Sequence, residues 1–391
     1  MFLKKVVERN PSLVEAGFHL MNTHTILPDT YVVDVDQFVA NAKAILEKAN
    51  LYGIDLYFML KQIGRNPYLA KKLVELGYPG AVAVDYREAE VLMAHDIPIS
   101  NIGHLVQVPQ GFLERVVAYE PDYLTVFSLD KIEEIEKICA KLNKKQKVLL
   151  KVVGEDDVLY TGQFAGFELK DLDQVVETIN KFDHIQIGGV TSFPCFLVDE
   201  TSGKAKPTPN LETLLQAKAV LKAHGIEDIN VNAPSATCIE TLEEMAACKS
   251  ITSAEPGHGL SGTTPLHAHR TMKEIPCVIY MSEISHNFKE HAYSFGGGHY
   301  RRSHIQYALV GRSLKQAEWT KVLDLDPTCI DYYFELERSF PVSYPVCMAF
   351  RFQIFVTRSH VALLEGLHHG DRKRIGLYDS QGRSIVWEDL S

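Results

Sequence analysis

The sequence has no excess of positive charge, since 40 Lys and Arg residues stand against 50 Asp and Glu residues, a formal net charge of −10. This balance argues against nucleic acid as a partner, because binding to phosphates needs a basic surface. No apolar run approaches the roughly 20 residues that a membrane span needs. The N-terminus carries early charges and lacks the apolar region of a secretory signal. We therefore expect a cytoplasmic protein that binds neither nucleic acid nor membranes.

Paired cysteine spacings are also missing. The seven cysteines are odd in number and scattered, and none are spaced as C-x-x-C. This pattern favours reduced thiols and argues against a disulfide framework or a zinc site. The histidine pairs at 267/269 and 368/369 lack a carboxylate or cysteine at a suitable spacing, so we predict no metal site.

An alternating pattern covers about residues 30 to 260. Short β-rich segments are separated by segments whose apolar residues recur at helical spacing. Eight such repeats over this length favour a parallel (β/α)8 barrel (TIM barrel), with an open doubly wound sheet as the alternative. The predicted strands begin near Asp55, Gly80, Asn101, Tyr123, Val148, Ile185, Ile229 and Ile251.

After about residue 265 the β-rich runs are no longer separated by helical segments, which predicts a mainly antiparallel β domain. The expected organisation is an N-terminal helix at 1–30 that packs on the second domain, a barrel at 31–265 and a β domain at 266–391. The β-rich runs are Cys277 to Ser285, Ile305 to Val310, Phe350 to Thr357 and Val361 to Leu364.

Reacting groups in such barrels lie at the C-terminal ends of the strands. Here these positions carry Lys61, His104, a T-S-F turn at 191–193, an N-A-P-S-A-T turn at 232–237 and an E-P-G-H-G-L-S-G segment at 255–262. The last two loops are small, hydroxylic and rich in glycine, which suits the close approach of backbone amides to a phosphate.

Lys61 ends an otherwise apolar strand. Desolvation there favours the neutral amine that forms a Schiff base. Lys151, on the fifth strand, is a rival lysine, and the residues alone do not separate the two. A strand-terminal lysine is often simply solvated, but a phosphate site together with an imine-forming lysine suggests pyridoxal 5'-phosphate (PLP).

The order of these motifs resembles the fold-type III PLP enzymes, the group of alanine racemase and the ornithine and diaminopimelate decarboxylases. The motifs are a strand-ending lysine before an N-P step, a T-x-F turn, an N-x-x-S-A turn and E-P-G, followed by a β domain. Within this group the chain is most similar to the YhfX-type branch of alanine racemase-like proteins. The resemblance implies that Lys61 is the Schiff-base lysine. It also implies a homodimer whose active sites are completed across the interface.

The resemblance also implies the cofactor-binding residues. Ser235 and Ala236 correspond to the phosphate loop, joined by Gly257 and His258. Glu255 corresponds to the acid that decarboxylases place opposite the pyridine nitrogen, where it keeps the ring protonated. We add the other polar strand-end positions as predicted cofactor contacts: His104, Ser192, Asn232 and Thr237.

Three positions depart from the family pattern. Ser192 stands where the family often stacks a histidine on the cofactor ring. The loop at 160–167 has no counterpart of the racemases' arginine, and His258 replaces the decarboxylases' arginine after E-P-G. Phosphate binding is therefore expected to depend on amides and hydroxyls.

The segment Y-S-F-G-G-G-H-Y-R-R at 293–302 resembles the racemase segment that supplies a catalytic tyrosine from the partner subunit. A direct match falls nearer Phe295, so Tyr293 and Tyr300 are both candidates, and both could equally be structural interface residues. Arg301 and Arg302 are predicted to bind a substrate carboxylate through charge-assisted hydrogen bonds.

Together these features predict a PLP-dependent racemase that acts on a free amino acid. Lys61 would exchange the proton on one face of Cα, and Tyr300 or Tyr293 of the other subunit would act on the opposite face. Decarboxylation or lyase chemistry on a D-amino acid is the alternative, because a pyridine protonated by Glu255 serves these reactions equally well. A PLP-binding protein without turnover is a third hypothesis. The sequence does not indicate which side chain is accepted.

Overall fold

A computed structural model of the chain describes residues 2–199, 201–326 and 328–386. Within these residues the helices are α1 (Phe2–Arg9), α2 (Pro11–Asn22), α3 (Val35–Tyr52), α4 (Pro67–Leu76), α5 (Tyr86–Ala94), α6 (Gln110–Tyr119), α7 (Leu129–Leu142), α8 (Leu172–Ile179), α9 (Pro209–Ala223), α10 (Ile239–Ala247) and α11 (Pro265–His269). The strands are β1 (Thr30–Asp34), β2 (Asp55–Phe58), β3 (Gly80–Ala83), β4 (Ile99–Ile102), β5 (Tyr123–Val126), β6 (Gln146–Val153), β7 (Phe167–Glu168), β8 (Ile185–Thr191), β9 (Phe196–Asp199), β10 (Lys204–Pro207), β11 (Asn230–Asn232), β12 (Ser253–Ala254), β13 (Val278–Phe288), β14 (His291–Phe295), β15 (Tyr307–Val310), β16 (Glu318–Lys321), β17 (Tyr333–Leu336), β18 (Pro345–Met348), β19 (His360–Glu365) and β20 (Lys373–Tyr378).

The chain divides into two compact units. The barrel unit comprises residues 44–60 and 67–257, and the sheet unit comprises the described residues within 1–43, 61–66 and 258–391. The domain limits predicted from the sequence, at residues 31 and 266, stay a prediction.

Eight parallel strands close the barrel. They follow the order β5, β4, β3, β2, β12, β11, β8 and β6, and a further pairing of β5 with β6 completes the ring. The predicted (β/α)8 barrel is thereby confirmed over the open sheet. Most strand residues are buried on both faces, as in β3 and β4, and this explains why the strands read as short apolar runs.

The helices of the barrel are offset from the expected order. Helices α4 to α10 each follow one strand, but β12 is followed by a loop, and α3 precedes the first strand. Lys48 of α3 forms an ion pair with Glu243 of α10, with 2.8 Å between nitrogen and oxygen. The pair places α3 beside the helix that precedes β12, so α3 supplies the eighth helical position from the N-terminal side.

The sheet unit contains the mainly antiparallel sheet that was predicted. Its strand order is β16, β15, β18, β13, β1, β19 and β20, with β14 and β17 continuing from β13. The pairing of β1 with β19 is parallel, and β1 pairs antiparallel with β13 on its other side. A strand from the N-terminal region therefore lies in the middle of a sheet built from C-terminal strands.

The segment Phe350 to Thr357 corrects the sequence reading, which expected a β-rich run there. The segment forms no named strand and ends in a 3₁₀ turn at Ile354–Val356. Phe350, Phe352 and Ile354 are buried, so burial does alternate with every second residue, as it would in a strand. The backbone of Arg351 nevertheless donates to the carbonyl of Ser303, 3.0 Å away, instead of joining a ladder.

The N-terminal region forms two helices where one was predicted. Pro11 begins α2, and the side chain of Asn10 caps it by accepting a hydrogen bond from the backbone N–H of Leu13 at 3.3 Å. The apolar faces of both helices join the same buried cluster as Ile279 and Met281 of β13. Across the described part of the chain, no helix has the length and apolar character needed to cross a membrane.

Candidate active site

Hydrogen-bonded polar side chains connect the C-terminal ends of several barrel strands. The hydroxyl of Thr191 donates to Oδ1 of Asn232 at 2.8 Å, and Nδ2 of Asn232 donates to the hydroxyl of Ser253 at 3.0 Å. Nδ1 of His104 lies 3.5 Å from the Thr191 hydroxyl. All four side chains are buried. Two predicted cofactor contacts, His104 and Asn232, are thus brought together through Thr191.

Aromatic rings line the same end of the barrel. The ring of Phe193 meets the His104 ring edge-on, with 5.8 Å between centroids, and lies 5.7 Å from the ring of Tyr160. Ser192 is buried, and its hydroxyl accepts a hydrogen bond from Nδ2 of Asn210 at 3.3 Å. Ser192 therefore offers a hydroxyl where the family pattern often has a ring.

The turn after β11 has an unusual backbone. Ser235 and Ala236 both have positive φ, at 113° and 52°, a region that residues other than glycine rarely adopt. Thr237 is buried, and its hydroxyl has no hydrogen-bond partner among the described residues. α10 begins two residues later, at Ile239. A buried hydroxyl beside a helix N-terminus is suited to an anion.

Glu255 directly follows β12 and is buried. Burial raises the pKa of the Cys195 thiol well above its usual value, and the negative charges of Asp157 and Glu255 add to this shift. Glu255 is therefore near enough to act on other groups of the barrel unit through its charge. Gly257 is buried two residues later in the same loop.

The two candidate lysines differ in their surroundings. Lys61 begins a 3₁₀ turn at Lys61–Ile63, three residues after the end of β2, and is partly buried in the sheet unit. Lys151 is buried in β6, and its amine lies 4.8 Å from the centroid of the Phe127 ring. Burial lowers the pKa of Lys151. Both lysines thus remain chemically reasonable sites for an imine.

His258 is the centre of a polar group in the sheet unit. Its Nδ1 lies 3.0 Å from the hydroxyl of Thr263, and its Nε2 lies 3.4 Å from Nε of Arg351 and 3.2 Å from Nε2 of Gln353. Burial lowers the pKa of His258 well below its usual value, and the positive charges of Arg351, Lys61 and His267 lower it further. Sequence reasoning missed Arg351 and Gln353.

The tyrosines proposed from the sequence lie in and after β14. The ring of Tyr293 stacks on the ring of His286, with centroids 4.9 Å apart and an angle of 5° between planes. Desolvation raises the pKa of Tyr293, and the Glu335 carboxylate raises it further. Tyr300 lies in the next loop, where its carbonyl accepts a hydrogen bond from the backbone of Ser303 at 2.8 Å. The side chains of Arg301 and Arg302 are exposed.

Comparison with known families covers most of the chain. The family described as alanine racemase, N-terminal domain, matches residues 33–265, and the YhfX-like C-terminal domain matches residues 279–374. The uncharacterized protein YhfX of Escherichia coli (strain K12) is 45% identical over 386 residues, covering 98% of this chain and 100% of that protein. The chain belongs to the alanine racemase-like family of fold-type III PLP enzymes, in its YhfX-type branch.

Solved structures share the fold of this YhfX-type protein at low sequence identity. D-threonine aldolase from Filomicrobium marinum is 14% identical with a TM-score of 0.68, covering 91% of this chain and 95% of that one. D-threo-3-hydroxyaspartate dehydratase from Delftia sp. HT23 is 15% identical with a TM-score of 0.67, covering 93% and 99%. Alanine racemase from Clostridium difficile 630 is 15% identical with a TM-score of 0.61, covering 90% and 99%.

These comparisons confirm the family and fold that the motif order indicated for the YhfX-type branch. They do not single out one reaction, because an aldolase, a dehydratase and a racemase share the fold. Within the described residues, no group of three or more His, Cys, Asp or Glu side chains is arranged to hold a metal ion.

Proposed function

We propose that the protein is a PLP-dependent racemase that interconverts the L and D forms of a free amino acid and works as a homodimer with shared active sites. The observation that carries the cofactor assignment is the turn after β11. There, a buried Thr237 hydroxyl without a partner among the described residues follows Ser235 and Ala236, both in a left-handed conformation.

The donors at this turn fit a phosphate group. A phosphate needs several neutral or partly positive hydrogen-bond donors. This turn offers the hydroxyls of Ser235 and Thr237, backbone amides and the N-terminus of α10. Thr237 would otherwise leave a buried hydroxyl unsatisfied, which costs about 1–3 kcal/mol. A phosphate at this turn removes that cost. Gly257 and His258 of the loop after β12 are proposed as further contacts, with His104, Ser192 and Asn232 facing the rest of the cofactor.

PLP, when bound, withdraws electrons from Cα of an amino acid and so acidifies the Cα hydrogen. Lys61 would hold the cofactor covalently, and its amine would take or return the proton on one face of Cα. Glu255 would keep the pyridine nitrogen protonated. Tyr300 or Tyr293 of the other subunit would donate or accept the proton on the opposite face.

A second candidate function is decarboxylation or lyase chemistry on a D-amino acid. Glu255 favours this candidate, since a buried carboxylate opposite the pyridine nitrogen supports any carbanion at Cα. The names of two of the related structures point toward lyase chemistry: an aldolase and a dehydratase, both acting on compounds named as D-amino acids. Binding of PLP without turnover is less well supported, because the sheet unit brings tyrosine and arginine side chains that a cofactor carrier does not need.

The deciding experiment incubates single amino-acid enantiomers with the PLP-loaded protein in deuterated water and follows Cα exchange by NMR. Exchange with inversion and a retained carboxylate supports racemisation. Stoichiometric amine or a cleaved side chain would instead establish the decarboxylase or lyase. Exchange with complete retention would mean that neither tyrosine acts as the second acid/base.

A further inference from the structure

The inner face of the barrel can be identified from contacts between strands that are not neighbours. The rings of Tyr57 on β2 and Tyr123 on β5 have centroids 6.4 Å apart, although β3 and β4 lie between these two strands in the ring. Both rings must therefore point into the barrel. Nδ2 of Asn230 on β11 donates to the Tyr57 hydroxyl at 2.9 Å, which places the Asn230 side chain on the same inner face.

Strand pairing extends this inner face to Lys151. Asn232 lies two residues after Asn230 on β11 and so points to the same side. Asn232 pairs with Thr191 of β8, and Thr191 pairs with Lys151 of β6. Residues paired directly in adjacent strands present their side chains on one face of a sheet. The Lys151 side chain therefore lies inside the barrel, in register with the hydrogen-bonded Thr191 and Asn232 side chains.

The amine of Lys151 is enclosed without an acidic partner. The residue is 3% exposed, and its amine lies 4.8 Å from the centroid of the Phe127 ring. Desolvation is the whole cause of the lowered pKa of Lys151, so no carboxylate within the described ranges offsets it. A lysine in this position keeps its charge only at a high cost in free energy.

The acidic residues that follow β6 are engaged elsewhere. Glu155 and Asp156 are exposed. Asp157 accepts a hydrogen bond from the Thr213 hydroxyl at 2.7 Å. The contact of the Lys151 amine with an aromatic ring replaces only part of its lost hydration. Because a buried ammonium needs a counter-charge, the inner face of the barrel at this point favours an oxyanion supplied by a ligand.

We propose that the amine of Lys151 binds the ionised phenolic oxygen of PLP. This assignment rests on the proposed function, and it gives Lys151 a non-covalent contact with the cofactor. The turn that contains Thr237 begins directly after Asn232, the end of β11, so Lys151 is in register with the residue from which the proposed phosphate site starts. All these residues belong to the barrel unit. A protonated pyridine nitrogen favours the ionised phenol on the same ring, which then supplies the missing negative charge.

A substrate carboxylate is the other oxyanion with this chemistry, and the test separates the two sources. The probes are PLP, its 3-O-methyl ether, which has no ionisable phenol, and propionate, which carries only a carboxylate. Each is titrated into cofactor-free protein, and propionate also into PLP-loaded protein. The variants are K151M, which keeps the length but removes the charge, and K151R, which keeps the charge. K147M is the matched control, because Lys147 is exposed on the same strand.

Each variant is compared with the wild type for the same ligand, so that chemical differences between the ligands cancel. We expect K151M to bind PLP at least roughly tenfold more weakly and the methyl ether no more weakly than the wild type does. K151R should retain part of the PLP affinity, and K147M should match the wild type. Propionate should bind all variants alike.

Thermal unfolding provides a second, independent measurement. In cofactor-free protein, K151M removes a buried charge and places an apolar side chain of similar length in the same space, so its unfolding midpoint should rise. Saturating PLP should then raise the midpoint of the wild type more than that of K151M. A cofactor-free K151M that unfolds at a lower temperature than the wild type would mean that Lys151 supports the fold, and this would contradict the proposal.

Further outcomes would overturn the assignment and leave the proposed function intact. Equal PLP affinity in K151M and the wild type would do so, as would an equal loss of affinity for PLP and the methyl ether. Loss of propionate binding with unchanged PLP affinity would assign Lys151 to a substrate carboxylate. A borohydride label mapped to Lys151 by peptide mass spectrometry would make it the imine lysine. Failure of the wild type to bind PLP would overturn the proposed function and this assignment together.

Discussion

The backbone N–H of Met59 donates a hydrogen bond to the carbonyl oxygen of Pro256, with 2.9 Å between nitrogen and oxygen. Met59 lies two residues before Lys61, and Pro256 directly follows Glu255. The strands that precede them, β2 and β12, are parallel neighbours with Asp55 opposite Ser253. Lys61 and Glu255 are proposed to act on opposite ends of PLP. The chain segments that lead to them therefore leave the barrel side by side.

Replacement of Lys61 by alanine is expected to abolish the absorbance band at about 420 nm that a PLP imine gives. Labelling by borohydride should be lost as well. Lys151→Ala should retain both signals if Lys61 carries the cofactor. Lys147→Ala, an exposed lysine on the same strand as Lys151, is the control. A band that survives in Lys61→Ala and disappears in Lys151→Ala would transfer the role to Lys151.

Thr237→Val removes one hydroxyl at nearly constant shape. We expect roughly a tenfold loss of PLP affinity, because one hydrogen bond to a charged phosphate is lost. Inorganic phosphate should compete with PLP in the wild type and more weakly in the variant. Thr178→Val changes a half-buried threonine on α8 whose hydroxyl donates to the carbonyl of Gln174, and it should have no effect on PLP affinity. Unchanged affinity in Thr237→Val would place the phosphate elsewhere.

Glu255→Gln keeps the size of the side chain and removes its charge. The pyridine nitrogen would then lose the partner that favours its protonated form, so we expect turnover to fall roughly 10²-fold with PLP still bound. Absorbance titration measures binding, and the NMR exchange assay measures turnover. Full turnover in this variant would show that the reaction does not need a protonated ring.

Asp29 should make the stability of the protein depend on pH. Burial raises its pKa from 3.8 to about 6, although hydrogen bonds from Ser359 and Tyr280 oppose the shift. Because the folded state holds the proton more tightly than the unfolded state does, the stability from this group is present below about pH 4. It is lost as the pH rises to about 6, by at most about 3 kcal/mol.

Asp29→Asn tests this dependence, because its amide oxygen can still accept from Tyr280 and Ser359. The variant should gain on the order of 1 kcal/mol over the wild type near neutral pH and nothing near about pH 4 in urea unfolding. Asp96→Asn is the control, since Asp96 is exposed and also has positive φ, at 56° against 65° for Asp29. A gain that is the same at every pH would point to the backbone conformation and not to the charge.

Gly189→Ala should strongly destabilise the barrel. An added Cβ would lie 2.0 Å from the carbonyl oxygen of Asn230, the residue opposite Gly189 in the pairing of β8 with β11. We expect a loss of at least about 3 kcal/mol in the free energy of unfolding. Gly225→Ala is the matched control, because its φ of 78° is also positive but no atom lies within 4 Å of the added Cβ. It should cost only about 1 kcal/mol in the free energy of unfolding. Similar losses in both variants would contradict the steric explanation.

The barrel could be predicted from the sequence because its strands are short apolar runs and the helices between them carry a helical period. The place of α3 could not, since nothing in a helix shows whether it packs at the start or at the end of a closed ring. Phe350 to Thr357 has the burial alternation of a strand without a strand partner, and alternation alone does not reveal pairing. His258 and Arg351 are 93 residues apart in the chain, so no local pattern joins them.

The position of β1 has a consequence for how the protein is made. β1 is complete after residue 34, but its two neighbours, β13 and β19, begin at residues 278 and 360. On the ribosome all eight barrel strands emerge before either neighbour exists, and domains tend to fold as units during synthesis. β1 must therefore stay unpaired until β13 has emerged, and its second edge stays open until β19 follows, so an exposed strand edge persists through much of synthesis and is open to aggregation or to chaperones.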